Sequence, residues 1–106
     1  MTLDEYQQKA LATATDGGSE LIQRVLGLAG ESGEIADKVK RWLRDEKGDL
    51  ARLDRKILAH ELGDALWYVA TLADCLGLRL EDVAQNNLAW RADRRSHRDA
   101  DTSGGS

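Results

Sequence analysis

Residues 28–39, LAGESGEIADKV, return thirty residues later as LAHELGDALWYV at 58–69. Leu, Ala, Glu, Gly and Val keep their relative positions, and Glu34 is answered by Asp64, which preserves the charge on a shorter arm. Both segments space their apolar residues as helices do. They lie on either side of the turn signal Asp45-Glu46-Lys47-Gly48-Asp49, the pattern of an antiparallel helical hairpin. In a regular hairpin Glu31 faces Asp64 and Glu34 faces Glu61, each pair being equidistant from Lys47-Gly48. At ~100° per residue the two acids of each helix fall about 60° apart, on one edge of its apolar face.

Two further helices flank this pair. Thr2 and Glu5 make a capping box for the first, which fades before Asp16-Gly17-Gly18. Ser19 is positioned to cap the second, which runs to about Asp45. The third begins between Asp49 and Leu53 and ends at Gly77. The fourth starts near Leu80, with Val83, Ala84 and Leu88 at helical spacing. Proline and Phe are absent, and no stretch alternates as a strand does. The expectation is an all-α, four-helix-bundle-like chain with an antiparallel central pair. Residues 1–90 form the domain, and 91–106 a charged, mobile tail. With few aromatics the core is small for a monomer, which favours association through the Leu- and Ala-rich faces.

The same composition narrows the function. A net charge of -4 lacks the basic footprint of a nucleic-acid binder. No apolar run approaches the ~18 residues needed to span a bilayer, and the opening is unlike a secretory leader. Cys75 is the single cysteine, so a reducing cytoplasm is the simplest setting. Cys75 itself reads as a small buried hydrophobe.

Four carboxylates gathered on a hairpin repel one another unless a cation neutralises them. Their oxygens suit a hard ion, Mg²⁺ with Mn²⁺ as its substitute, which keeps waters and recruits phosphate oxygens. No His follows any of the acids at i+3 or i+4, which disfavours a ferritin-like di-iron site. Gly33 and Gly63 lie mid-helix, each costing about 1 kcal/mol relative to Ala; equivalent glycines in both helices suggest tight helix contact or ligand access. A single E-x-x-E is usually a solvated face, but two at matched positions about one turn are a stronger signal.

The motif Glu31-x-x-Glu34, then Glu61-x-x-Asp64, resembles the E-x-x-E…E-x-x-D signature of the MazG-like all-α nucleoside triphosphate pyrophosphohydrolases, and the likeness extends over most of residues 3–89. The resemblance implies Mg²⁺-dependent cleavage between the α- and β-phosphates, giving a nucleoside monophosphate and pyrophosphate. It implies metal binding by Glu31, Glu34, Glu61 and Asp64, with Glu34 or Glu61 also orienting or deprotonating the attacking water. It implies homodimers or homotetramers whose active sites are completed by a neighbouring subunit, and a house-cleaning role on non-standard or surplus nucleotides. The alternative is a non-catalytic helical interaction or nucleotide-binding module with a regulatory divalent-ion site.

Substrate contacts are less sharply marked. Lys38, one turn past Glu34, would touch a phosphate or pair with Glu34. Asn87 matches a phosphate-contacting Asn of the family. Where many relatives carry a Lys three residues later, this chain has Trp90, and Arg91, Arg94 and Arg95 are the residues that would compensate. Tyr68 falls beside the acids and Trp67 off the main apolar face. Either would stack on a base, although an oligomer interface is the commoner use of an exposed Trp. Trp42 reads as core or interface, Tyr6 and Gln7 as core, surface or nucleoside pocket, and His60 as surface or site.

Overall fold

A computed structural model describes residues 1–15 and 20–104, with side chains through Asp99. Its elements are α1 (Leu3–Ala12), α2 (Leu21–Glu46), a short 3-10 turn (Leu50–Arg52), α3 (Arg55–Cys75) and α4 (Leu80–Gly104). No strand occurs among the described residues.

Local chemistry sets most boundaries. The Thr2 hydroxyl accepts from the Glu5 amide at 3.1 Å, and the Thr2 amide donates to Glu5 Oε1 at 3.2 Å, closing the capping box. Ser19 and the Asp16-Gly17-Gly18 stretch lie outside the described residues; the residue ahead of α2 is Glu20, whose side chain makes no capping bond. At the other end of α2, Lys47 and Gly48 both take positive φ, 53° and 75°, and reverse the chain. The indole N–H of Trp42 donates to the Asp49 carbonyl at 2.8 Å and pins that reversal. Asp54 caps α3 by accepting from the Ile57 amide at 3.1 Å. Gly77, at φ 71°, stops it: Leu78 N–H donates to Ala73 O at 2.8 Å and Gly77 N–H to Asp74 O at 2.9 Å, a Schellman pair.

The fourth helix departs from expectation. It does not dissolve after Trp90 but continues to Gly104. Residues 91–99 contain neither Gly nor Pro, and i,i+4 contacts support them: Arg94 stacks over Trp90 at 4.7 Å, and His97 lies 3.4 Å from Asp93. Polar composition alone does not end a helix that carries such pairs.

Helix α3 is central. It packs along α2 on one side, while α1 and the start of α4 meet it and each other on the other side. The pairings of Gly27 with Tyr68 and of Lys38 with Glu61 run in opposite senses along the two chains, so α2 and α3 are antiparallel. The core consists of Ala10, Ala70 and Leu80, joined by Leu3, Tyr6, Trp67 and Val69. Gln7, 3% exposed, locks it. Its Nε2 donates to the Ala70 and Leu78 carbonyls at 3.1 and 3.0 Å, and its Oε1 accepts from the Leu80 amide at 3.0 Å. Gln7 is therefore a structural clamp, and Tyr6, half-buried, packs against the same core. Cys75 is only half-buried, because it sits in the last turn of α3.

Little of α2 is covered. Ile22, Leu26 and Leu43, with Leu62 of α3, are 60–71% exposed. The radius of gyration is 17.9 Å, against about 13 Å for a compact chain of 100 residues.

Candidate functional site

Three acids converge where α2 crosses α3. Glu31 and Glu34 stand one turn apart on α2, Glu61 enters from α3, and one oxygen from each lies within 4.8 Å of the others. Glu61 is buried, Glu31 half-buried and Glu34 exposed, so the cluster opens to solvent on the Glu34 side. Lys38, the next turn of α2, places Nζ 2.9 Å from Glu61 Oε1. Its ion-pair partner is thus across the hairpin and not Glu34.

The hairpin is regular enough to bring Glu34 to Glu61, but Glu31 meets Glu61 as well, and not Asp64. Asp64 has a side chain one methylene shorter, and its Oδ2 lies 3.4 Å from Nε2 of His60. Its charge still reaches Glu31, Glu34 and Tyr6. His60 accordingly flanks the site through Asp64.

Electrostatics divides the acids unequally. The hydrogen bond to Glu61, then burial, then the charges of Glu34, Glu61 and Asp64 push Glu31 up to about 7. The same hydrogen bond to Glu61 is the main influence raising Glu34. Glu61 is held down to about 2, first by Lys38 and then by hydrogen bonds from Glu31 and Glu34. Of the three, Glu61 is therefore the readiest to carry charge and Glu31 the readiest to keep a proton.

This donor set fits a hard divalent cation. All the donors are carboxylate oxygens, and Glu31 Oε2 is shielded from solvent with no hydrogen-bond partner. A buried oxygen without a partner, on a carboxyl whose hydrogen bond to Glu61 does not satisfy it, is costly, and a cation would relieve it. Glu31, Glu34 and Glu61 are the residues that could hold such an ion, with Asp64 at the margin.

The other expected site residues are distributed differently. Trp67 is not an exposed residue awaiting a partner. Its indole N–H donates to Thr13 Oγ1 at 2.8 Å and Ala10 O at 3.2 Å, and it packs on the core. Its own helix rotates it toward α1, the neighbour that a wheel for α3 alone omits. Tyr68 meets Trp67 edge-on, with ring centroids 5.1 Å apart, and its ring fills the space above Gly27. Asn87 is exposed on α4, which packs on α1 and α3. Gly33 and Gly63 are not points of tight helix contact, since a Cβ on either meets nothing within 4 Å. The close approach is at Gly27, where a Cβ would fall 2.1 Å from Tyr68 Cε1.

Two features escaped the sequence reading. Arg24, 4% exposed, lies with its guanidinium 4.7 Å from the Trp67 ring centroid; nothing in its local pattern marks it as buried. A pocket of about 340 Å³ opens beside the acids, lined by Lys38, Arg41, Trp42, Leu53, Ile57 and Leu58 among others. The i,i+4 series Glu34, Lys38, Trp42 was the signal for it, because it lays acid, cation and ring along one edge of α2.

The sequence pattern of the MazG nucleotide pyrophosphohydrolase domain matches residues 20–98, a span that holds all four acids. The chain is also 44% identical, over 95 residues, to the "Gene 37 protein" of Mycobacterium phage L5, covering 83% of each protein. No solved structure matches it. Acid cluster, hairpin and sequence match agree: the chain belongs to the MazG nucleotide pyrophosphohydrolase domain family, a helical family of hydrolases that act on nucleotides.

Proposed function

We propose that this protein is a Mg²⁺-dependent nucleoside triphosphate pyrophosphohydrolase. It cleaves between the α- and β-phosphates, releases nucleoside monophosphate and pyrophosphate, and serves to clear unwanted nucleotides. The observation that carries this reading is the convergence of Glu31, Glu34 and Glu61 from two helices, with an orphaned oxygen among them.

Glu31, Glu34 and Glu61 would hold the ion, with Asp64 near them on the next turn of α3. Such an ion would supply charge neutralisation for a phosphate and activation of a water. Glu34, the most exposed of the three, faces solvent where it can orient a water, and Glu61 is the other candidate base. The neighbouring pocket receives the nucleoside. Trp42, Ile57 and Leu58 offer it an apolar wall, and its charged rim sets Lys38, Arg41 and Arg52 against Asp45, Glu46 and Asp54. Trp67 and Tyr68 are engaged in packing, so the pocket replaces them as the base contact. Asn87 reaches phosphate only if α4 is brought to an acid cluster by assembly. The exposed apolar residues of α2 and α3 support that assembly, as a homodimer or dimer of dimers.

The test is product analysis on a panel of canonical and modified nucleoside triphosphates with Mg²⁺, beside Glu61→Gln at matched far-UV circular dichroism. Monophosphate and pyrophosphate from the parent should fall at least about 100-fold in the variant. Orthophosphate and diphosphate would mean that a different bond is cut. Mg²⁺-dependent nucleotide binding without product would make the protein a binding module.

A further inference from the structure

Lys38 belongs to two neighbouring features at once. Its Nζ contacts Glu61 Oε1 at 2.9 Å, and its side chain lines the pocket beside the acids. The two partners differ in freedom: the Lys38 side chain is 35% exposed and that of Glu61 only 10%. Glu61 is fixed by its surroundings, whereas Lys38 has a flexible four-carbon stem with open space at its tip. A divalent ion on the same carboxylate would sit about 2.1 Å from its oxygen, bringing two cations into repulsive contact. That repulsion favours the departure of one cation, and the lysine, the more exposed and flexible of the pair's side chains, is the one able to move.

We infer that Lys38 is a resident counter-cation of the acid cluster, occupying on Glu61 the place a divalent ion takes and moving into the mouth of the pocket when the ion arrives. The inference rests on the metal-binding reading of Glu61 and extends it. Held by Glu61, the ammonium group is neutralised and turned away from an anionic ligand. Released, it is free to meet one at the pocket it lines. Ion binding and recognition of a phosphate-bearing ligand are thereby coupled through one side chain.

The experiment is calorimetric titration of the full chain with Mn²⁺, without nucleotide, for the parent, Lys38→Met, Lys38→Gln, Lys38→Arg and Glu61→Gln. Displacement predicts that Lys38→Met and Lys38→Gln each bind Mn²⁺ about fivefold or more tightly, since ion entry no longer breaks an ion pair against like-charge repulsion. Lys38→Arg should stay within about twofold of the parent. Without Mn²⁺, the two neutral variants should melt lower than the parent, and saturating Mn²⁺ should abolish the difference. The Lys38→Gln arm guards against loss of folding specific to Lys38→Met. Unchanged or weaker Mn²⁺ binding in the folded neutral variants would overturn displacement and make Lys38 a positioning partner of Glu61. Parent binding that ignores Glu61→Gln, or no parent binding at all, would overturn the metal-site reading and this inference together.

Discussion

Gly27→Ala separates the one crowded glycine of the hairpin from those that stand in open space. A Cβ at position 27 would lie 2.1, 2.4 and 2.7 Å from Cε1, Cζ and Cδ1 of Tyr68. All three are far inside van der Waals contact, and they belong to a rigid ring that abuts Trp67 edge-on. Three contacts this short put the overpacking at roughly 2–3 kcal/mol, the upper part of its usual range, while replacing a mid-helix glycine by alanine returns about 1 kcal/mol. The crowding exceeds the gain, leaving a net loss of about 1–2 kcal/mol. At ~4–8 °C per kcal/mol for a domain of this size, Tm should fall by roughly 4–15 °C. Gly33→Ala and Gly63→Ala meet nothing within 4 Å, so each should gain about 0.5–1 kcal/mol from helix propensity alone. Thermal and guanidinium denaturation of the three variants supply the comparison. Adding Tyr68→Ala to Gly27→Ala should recover more than about 1 kcal/mol relative to the sum of the singles. A Gly27→Ala protein as stable as its parent, or a Gly33→Ala protein damaged as badly, would refute this account of helix packing.

Removing the Gln7 clamp by Gln7→Ala strands the Leu80 amide and two carbonyls in the core, and should cost about 2–4 kcal/mol in denaturant titration. Glu31 is raised in the folded chain from 4.5 to about 7, so its contribution is complete below pH ~4.5 and lost as pH climbs through 7. Chelator-treated protein should therefore melt lower at pH 8 than at pH 5, and Glu31→Gln should flatten that slope. Glu34, raised as well, adds in the same direction; Glu61, held near 2, loses its contribution only as pH falls from about 4.5 toward 2. Self-association should appear in sedimentation equilibrium as a dimer or larger, and Leu26→Arg, at a residue 65% exposed, should shift it toward monomer. A parent that sediments as a monomer at high concentration would remove the assembly reading.

Whatever depends on neighbours within about one turn was legible in the amino-acid order. Thr2 and Glu5 cap α1, and Gly77 ends α3, through bonds between residues a few positions apart, so local spelling was enough. The thirty-residue echo likewise fixed which helices pair and that their acids meet, because two helical repeats about a tight turn have essentially one way to fold back. How far each arm reaches follows from the way the helices cross. Glu31 bonds Glu61 while Asp64 stands off with His60, an outcome of side-chain length and helix crossing that no wheel contains. The tertiary structure also turned Trp67 toward α1 and set Tyr68 on Gly27, because packing partners on α3 come from helices remote in sequence. The continuation of α4 past Trp90 lay between these cases. Its i,i+4 pairs were there to be read, but a polar helix with every residue from 85 to 99 exposed has no apolar stripe, and the stripe is what periodicity detects.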